Sequence, residues 1–228
     1  MRTGWHANFV CNRAVPRVMM AQPFCRPVRP TMKRRFFLRA VPLAVAGATV
    51  LPARAAIEPA LLAQLRRGGH VILMRHAETV PGVGDPAGFT LDQCGTQRNL
   101  SAEGRKDAVR IGAAFVRHAI PVDRVRSSRW CRCLDTATLA FGRAMAEPLL
   151  DSMFQEDPAA SARKLRMTRA WLGTLRPEGN VVLVTHDVNI RALVGHYVEQ
   201  GGMVVTTARL GGALRVDGVV TLAALAAV

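Results

Sequence analysis

The chain has 228 residues, half of them apolar and about a fifth charged, with 19 glycines and 13 prolines. That composition suits one globular domain with a sizeable core and argues against a disordered chain. The formal charge of +15 suggests nucleic acid until it is divided along the chain: ten of the 31 Lys and Arg fall within residues 1–55, where there is no acid, leaving 21 bases against 16 acids.

The basic excess begins with a leader-like pattern. From Met32, the run Lys33-Arg34-Arg35-Phe36-Phe37-Leu38-Arg39 precedes an apolar stretch from Ala40 to Leu51 and then Ala53-Arg54-Ala55. A charged start, a short apolar centre and a small-x-small cleavage site predict a signal peptide, and the paired arginines resemble a twin-arginine export signal. The apolar stretch, broken by Pro42, is short of the roughly 20 residues that span a bilayer, so a retained anchor is the weaker alternative. The expected organisation is a start-site overcall or extension over residues 1–31, a signal peptide over 32–55 cleaved after Ala55, and one domain over 56–228. The mature protein is expected in the periplasm or otherwise exported, delivered by the twin-arginine machinery, with no stable membrane span and no nucleic-acid partner. Three cysteines would remain in an oxidising compartment, and Cys94 with either Cys131 or Cys133 is the expected disulfide. Bridging Cys131 to Cys133 is disfavoured by geometry.

In chain order, Ala60–Arg67 predicts a short helix stopped by Gly68-Gly69, and His70–Met74 a strand ending at Arg75-His76. A Gly- and Pro-rich loop runs from Thr79 to about Asn99. Ser101 then caps a helix whose Ala108, Ile111, Phe115 and Ala119 keep helical spacing up to Pro121. Val122–Ser127 predicts a strand, Arg132–Phe141 a helix ended by Gly142, and Ala159–Leu175 a further helix. Val181-Val-Leu-Val-Thr185 has four consecutive apolar residues, the pattern of a strand buried on both faces. Asn189–Tyr197 returns to helix, and Met203–Ala208 and Val216–Leu222 predict closing strands. Strands alternating with helices predict a three-layer α/β/α sandwich around a mostly parallel sheet.

In such folds reactive groups gather beyond the carboxyl ends of the strands. Three predicted strands end in Arg75-His76, in Ser127-Ser128 ahead of Arg132, and in Thr185-His186-Asp187. Brought into one crevice, two arginines and two histidines suit a phosphoryl group. Guanidinium pairs with phosphate oxygens and keeps its charge at any working pH, and a neutral imidazole can attack phosphorus. Nearby Arg75 and Arg132 should disfavour a charged His76.

These residues also carry a family resemblance. Leu73-Met-Arg-His-Ala-Glu-Thr79 resembles the Arg-His-Gly/Ala-Glu-Thr signature of the histidine phosphatase (phosphoglycerate mutase-like) superfamily. Asn99-Leu-Ser-Ala-Glu-Gly104 resembles its Leu-Ser/Thr-x-x-Gly helix start, Ser127-Ser-x-x-x-Arg132-x-x-x-Thr136-Ala137 its second element, and Val181–His186 the strand bearing its second histidine. The resemblance implies a phosphoglycerate mutase-like fold and a phosphomonoester hydrolase that uses no metal or other cofactor. His76 would be the phosphohistidine nucleophile, Arg75 and Arg132 would hold phosphate, and His186 would complete the pocket. Arg129 stands where the family usually has proline. Asp85-Pro, Cys94-Gly-Thr-Gln-Arg-Asn and the Trp-Cys-Arg-Cys wording resemble an exported branch that includes lipopolysaccharide-core heptose phosphatase-like proteins. A small phosphorylated substrate, such as a sugar phosphate or a lipopolysaccharide fragment, is the partner this implies. For the general acid, Asp187 of His186-Asp187-Val-Asn189 is favoured over Asp151, with Glu156 third.

Plainer roles compete at several positions. Asp187 can serve as a helix cap and Glu78 as a structural acid. Arg98 and Arg129 are candidate extra anion contacts for which a surface or structural role is favoured. His70, His118 and His196 have no partners at a telling spacing. At the level of the chain, the alternatives are a non-catalytic phosphate-binding envelope protein on the same fold and a basic nucleic-acid or membrane-surface protein.

Overall fold

The computed structural model describes residues 56–82 and 84–227. The predicted signal peptide, its cleavage site after Ala55 and the extension over 1–31 lie outside the described residues.

Three helices and three strands alternate through the first part of the domain. Helix α1 (Pro59–Arg67) leads to strand β1 (Val71–Arg75), α2 (Ala102–Arg117) to β2 (Val122–Ser127), and α3 (Cys131–Phe141) to a two-residue strand, β3 (Met145–Ala146). The chain continues through α4 (Pro158–Leu172), β4 (Asn180–Thr185), α5 (Asp187–Val194), β5 (Met203–Ala208), β6 (Leu214–Val220) and α6 (Leu222–Ala226). Local chemistry sets several boundaries. The Ser101 hydroxyl accepts from the Gly104 amide at the start of α2, Asp157 does the same for Ala160 in α4, and Gly142 and Gly195 close α3 and α5 in the left-handed conformation.

The six strands form one sheet in the order β3-β2-β4-β1-β5-β6. The pairs β1–β4, β2–β4 and β2–β3 are parallel; β1–β5 and β5–β6 are antiparallel. This is an α/β fold with a mostly parallel sheet. Alternate residues of the central strands feed two apolar cores. Ile72, Met74, Val182 and Val184 pack with residues of α1, α2, α3 and α6 on one face, while Val71, Leu73, Val181 and Leu183 pack with Leu172 of α4 and Ile190 of α5 on the other. All six residues of β4 are buried, as its unbroken apolar run requires.

Several elements differ from expectation: a two-residue strand forms at Met145–Ala146 where none was expected, and the helix expected over Asn189–Tyr197 runs from Asp187 to Val194, closed by Gly195. The last strand ends at Val220 rather than continuing to Leu222, because Thr221 caps a new helix by accepting from the Ala224 amide. The helix expected to reach Leu175 stops at Leu172, where Gly173 follows and its Cβ position would fall 2.9 Å from the Gly212 amide nitrogen.

Candidate functional site

The register places three strand ends side by side. Arg75 pairs with Thr185 across β1 and β4, and Ser127 with Val184 across β2 and β4. The next residues extend the ladder, with the His76 amide donating to Thr185 O at 3.1 Å and the Ser128 amide to Val184 O at 2.9 Å. His76, Ser128 and His186 therefore meet at one edge of the sheet.

His76 and His186 are each 3 % exposed, and their rings meet edge to face with centroids 5.5 Å apart. Nδ1 of His76 lies 2.8 Å from the Ala77 carbonyl oxygen. A carbonyl only accepts, so Nδ1 carries the proton and Nε2 keeps its lone pair. Burial lowers the His76 pKa from 6.5 to about 3, against an opposing push from the Ala77 carbonyl and with added repulsion from Arg132, Arg75 and Arg98. The result is a neutral imidazole with one basic nitrogen. The motif residues hold it there. Thr136 Oγ1 donates to Arg132 O at 2.7 Å and accepts from the Ala77 amide at 3.0 Å, tying α3 to the backbone beside His76.

His186 is also kept neutral, first by burial and then by repulsion from His76 and Arg132. Its Nε2 lies 2.9 Å from Ser128 Oγ and 3.5 Å from Cys133 Sγ. Ser128 Oγ accepts from the Trp130 amide at 3.3 Å, which leaves its proton for the His186 nitrogen or for Asp151 at 3.2 Å. The shorter contact favours Nε2 of His186 as acceptor, with the ring proton on Nδ1.

The arginines come from different elements. Arg132, in the first turn of α3, is 3 % exposed; its guanidinium stacks 4.3 Å from the Trp130 ring centroid, and its Nη1 donates to Asp85 Oδ1 at 2.9 Å. Arg75 Nη1 donates to Val198 O at 3.0 Å and to the Tyr197 hydroxyl at 3.4 Å. Arg98 lines the same cavity, where sequence favoured a surface or structural role; its pKa is lowered by burial and by Arg132. The signal for it was its position just ahead of a motif helix, inside the Gly- and Pro-rich loop.

These groups open onto a cavity of about 570 Å³. One stretch of its lining comes from Asp85, Phe89, Leu91 and Arg98, another from Ser152, Phe154, Gln155 and Glu156, with Asp187 beside His186. The three carboxylates weighed as acid differ in their commitments. Asp151 accepts from the Arg129 backbone and Nε, both at 2.8 Å, pairs with Arg129 Nη2 at 2.6 Å and is reached by Ser128. Arg129, in the place usual for proline, is thus a clamp on Asp151. Glu156 Oε1 pairs with Lys164, while its Oε2 is buried with no hydrogen-bond partner among the described residues. Asp187 Oδ2 pairs with Arg191 at 2.7 Å, and its Oδ1 has no hydrogen-bond partner among the described residues. Asn189 is structural: its amide holds the carbonyls of Leu150 and Asp151 and accepts from Met153.

Other candidates have plain roles. Glu78 Oε1 accepts from the Ser101 hydroxyl at 2.6 Å. His70 Nδ1 lies 3.3 Å from Asp217, His118 meets Leu225 O, and His196 meets Val194 O. Cys94 is bonded to Cys131 across 37 residues, which resolves the open pairing and leaves Cys133 a buried free thiol.

The family model described as "Histidine phosphatase superfamily (branch 1)" matches residues 71–158. No curated protein matches the chain by sequence. Among solved structures, one described as a putative alpha-ribazole-5'-P phosphatase from Escherichia coli shares 16 % identity at a TM-score of 0.51, covering 67 % of this chain and 97 % of that one. A mycobacterial glucosyl-3-phosphoglycerate phosphatase bound to VO3 shares 18 % at a TM-score of 0.48, covering 66 % and 98 %, and a Thermus thermophilus protein shares 20 % at 0.47, covering 67 % and 99 %. The family match takes in the Arg75-His76 signature, Arg132 and Thr136, which the fold gathers at one sheet edge, so over residues 71–158 the chain is similar to the histidine phosphatase superfamily.

Proposed function

We propose that this phosphatase hydrolyses phosphate monoesters through a phosphohistidine on His76. The observation that carries the reading is the neutral His76 ring, its Nδ1 proton committed to Ala77 O, on a cavity also lined by Arg75, Arg132 and His186. In the first step Nε2 bonds to phosphorus as the ester P–O bond breaks, and the leaving oxygen takes a proton from Asp187. In the second, water attacks phosphorus, Asp187 takes its proton, and the P–N bond breaks to release inorganic phosphate and neutral His76. Arg75, Arg132 and the Nδ1 proton of His186 would hold the equatorial oxygens, where charge develops in phosphoryl transfer. No step calls for a metal. Asp187 is favoured as the acid because one of its oxygens is uncommitted, whereas Asp151 is clamped by Arg129.

The cavity exceeds what a phosphoryl group fills, and its lining combines Phe89, Leu91, Trp130 and Phe154 with Ser152, Gln155 and Glu156. That mixture supports a small amphipathic leaving group, such as a sugar or a lipopolysaccharide fragment. Export through the twin-arginine route belongs to the same reading, supported by the leader pattern and by a disulfide of the kind that persists in oxidising compartments. Mature protein outside the cytoplasm beginning at Ala56 is expected; an intact leader on soluble cytoplasmic protein would refute export.

The catalytic test is phosphate release from p-nitrophenyl phosphate, with rapid-quench capture of an acid-labile, base-stable phosphoryl group on the protein. Both signals should vanish in His76→Ala. Turnover that persists in that variant sinks the mechanism. Phosphate binding without turnover by the unaltered chain would instead favour the non-catalytic envelope protein.

A further inference from the structure

The Asp85–Arg132 pair has a bearing on how the proposed phosphate site fills and empties. Asp85 lies in the Gly- and Pro-rich loop, 47 residues before Arg132, yet its Oδ1 sits 2.9 Å from Arg132 Nη1 and also accepts from the Arg98 amide at 3.0 Å. The side chains of Arg132 and Asp85 are 4 % and 13 % exposed. A cation buried to that degree needs an anion, and here Asp85 supplies it. The other carboxylates lining the cavity face different cations: Asp151 faces Arg129, Glu156 faces Lys164, and Asp187 faces Arg191. Arg132 itself is fixed, since its guanidinium plane rests on Trp130 and Nη1 also reaches Arg98 O at 3.4 Å. What can exchange at this arginine is the anion.

We infer that Asp85 is the resident counter-ion of the phosphate pocket and sets its affinity for oxyanions: a substrate phosphoryl group takes the carboxylate's place on Arg132, and the carboxylate's return favours departure of inorganic phosphate. This rests on Arg132 being a phosphate ligand, as the proposed function has it. The physical basis is repulsion. A phosphate dianion on Arg132 lies within a few ångström of the Asp85 carboxylate, in a site screened from water, where like charges interact far more strongly than in bulk. An ester recovers that cost through contacts of its leaving group in the cavity. Free phosphate has no leaving group and does not recover it. Asp85 thereby makes the site selective for substrate over product.

The test is calorimetric titration of inorganic phosphate into the full chain, alongside product inhibition of p-nitrophenyl phosphate turnover. Asp85→Asn keeps an oxygen to accept from Arg98 and Arg132 and removes only the charge. Phosphate should bind that variant about tenfold more tightly or better, with a matching fall in its inhibition constant. Asp85→Ser is the second variant, read in the same way if the first does not fold. Unchanged or weaker phosphate binding in the variants, with phosphate still bound by the unaltered chain and lost in Arg132→Ala, overturns the role of Asp85 and makes it a positioning residue for the arginine. An unaltered chain that binds no phosphate and turns over no ester overturns the proposed function, and this inference with it.

Discussion

The rings of His76 and His186 meet edge to face, 5.5 Å between centroids, at the ends of two paired parallel strands, and both are held neutral by burial. Beyond burial, Arg132 and Arg75 disfavour the protonated form of both rings, and His76 adds to the shift of His186. Such a pair suits nucleophilic attack and conflicts with acid.

That conflict predicts how stability depends on pH. Unfolded histidine takes up a proton near pH 6.5, whereas His76 in the fold does so only near 3, and His186 is shifted the same way. Between those values the unfolded chain binds more protons, so stability is fully present above about pH 6.5 and falls as the pH drops toward 3. His76 contributes a slope of about 1 kcal/mol per pH unit in that window, and His186 adds to the loss in the same direction. Denaturant unfolding of His76→Asn at pH 7, 5.5 and 4.5 should therefore show a shallower loss than the unaltered chain. Parallel losses in the two proteins would contradict a neutral His76.

Asp187→Asn separates the acid from its rivals. If Asp187 protonates the leaving oxygen, the variant should lose about 10²–10⁴ in kcat on an alkyl phosphate, whose leaving group needs the proton. It should lose far less on p-nitrophenyl phosphate, whose leaving group is stable as an anion. Asp151→Asn should instead lower the melting temperature, because it loosens the clamp from Arg129 and Ser128. Equal losses on both esters in Asp187→Asn would return Asp187 to a capping or salt-bridge role and leave Glu156, with its uncommitted Oε2, as the next acid.

Much of this site was legible because the fold obeys periodicity. The apolar runs at Val71–Met74 and Val181–Val184 identify the central strands, and whatever follows a parallel strand must lie at the crevice. The cysteine pairing was legible only as Cys94 with either Cys131 or Cys133, and the structure decides between them. Residues two apart on a helix point to different faces, so with Cys133 turned into the core against His186, Cys131 is left for Cys94. What escaped sequence reading has no periodicity behind it. Asp85 is a loop residue whose surroundings are set by how the loop folds over α3, and the same holds for Arg98, which the sequence offered only as a lesser anion contact. The strand Met145–Ala146 is two exposed residues with no pattern to find, and α6 begins at a threonine that merely continues an apolar stretch.

Gly104 gives the helix-start motif a steric cause. A Cβ at that position would fall 2.0 Å from the carbonyl oxygen of Glu78, two residues beyond His76, at the point where α2 packs against the chain leaving β1. The contact is with backbone and cannot be relieved by rotating a side chain. Gly104→Ala should thus destabilise the domain by about 1–3 kcal/mol, although alanine is the better helix former. It should also depress turnover by shifting the backbone beside His76. Thermal unfolding and kcat measured together check both; an unchanged or raised melting temperature would refute the packing argument.

The disulfide ties the loop that carries Asp85, Phe89, Leu91 and Arg98 to the residue next to Arg132. Closing a 37-residue loop is worth about 4 kcal/mol through restriction of the unfolded chain. Gln97 adds a parallel tether, accepting from the Cys131 amide at 2.9 Å and donating to Thr90 O and Leu91 O. Reduction, or Cys94→Ser with Cys131→Ser, should therefore lower stability by that order without abolishing the fold under mild conditions. The functional loss should fall mainly on KM, because the loop lines the substrate cavity while His76, His186 and Thr136 are held by strand and helix hydrogen bonds that the disulfide does not touch. Steady-state kinetics with and without dithiothreitol checks this. A fall in kcat at constant KM would mean that the bond positions Arg132 rather than the loop.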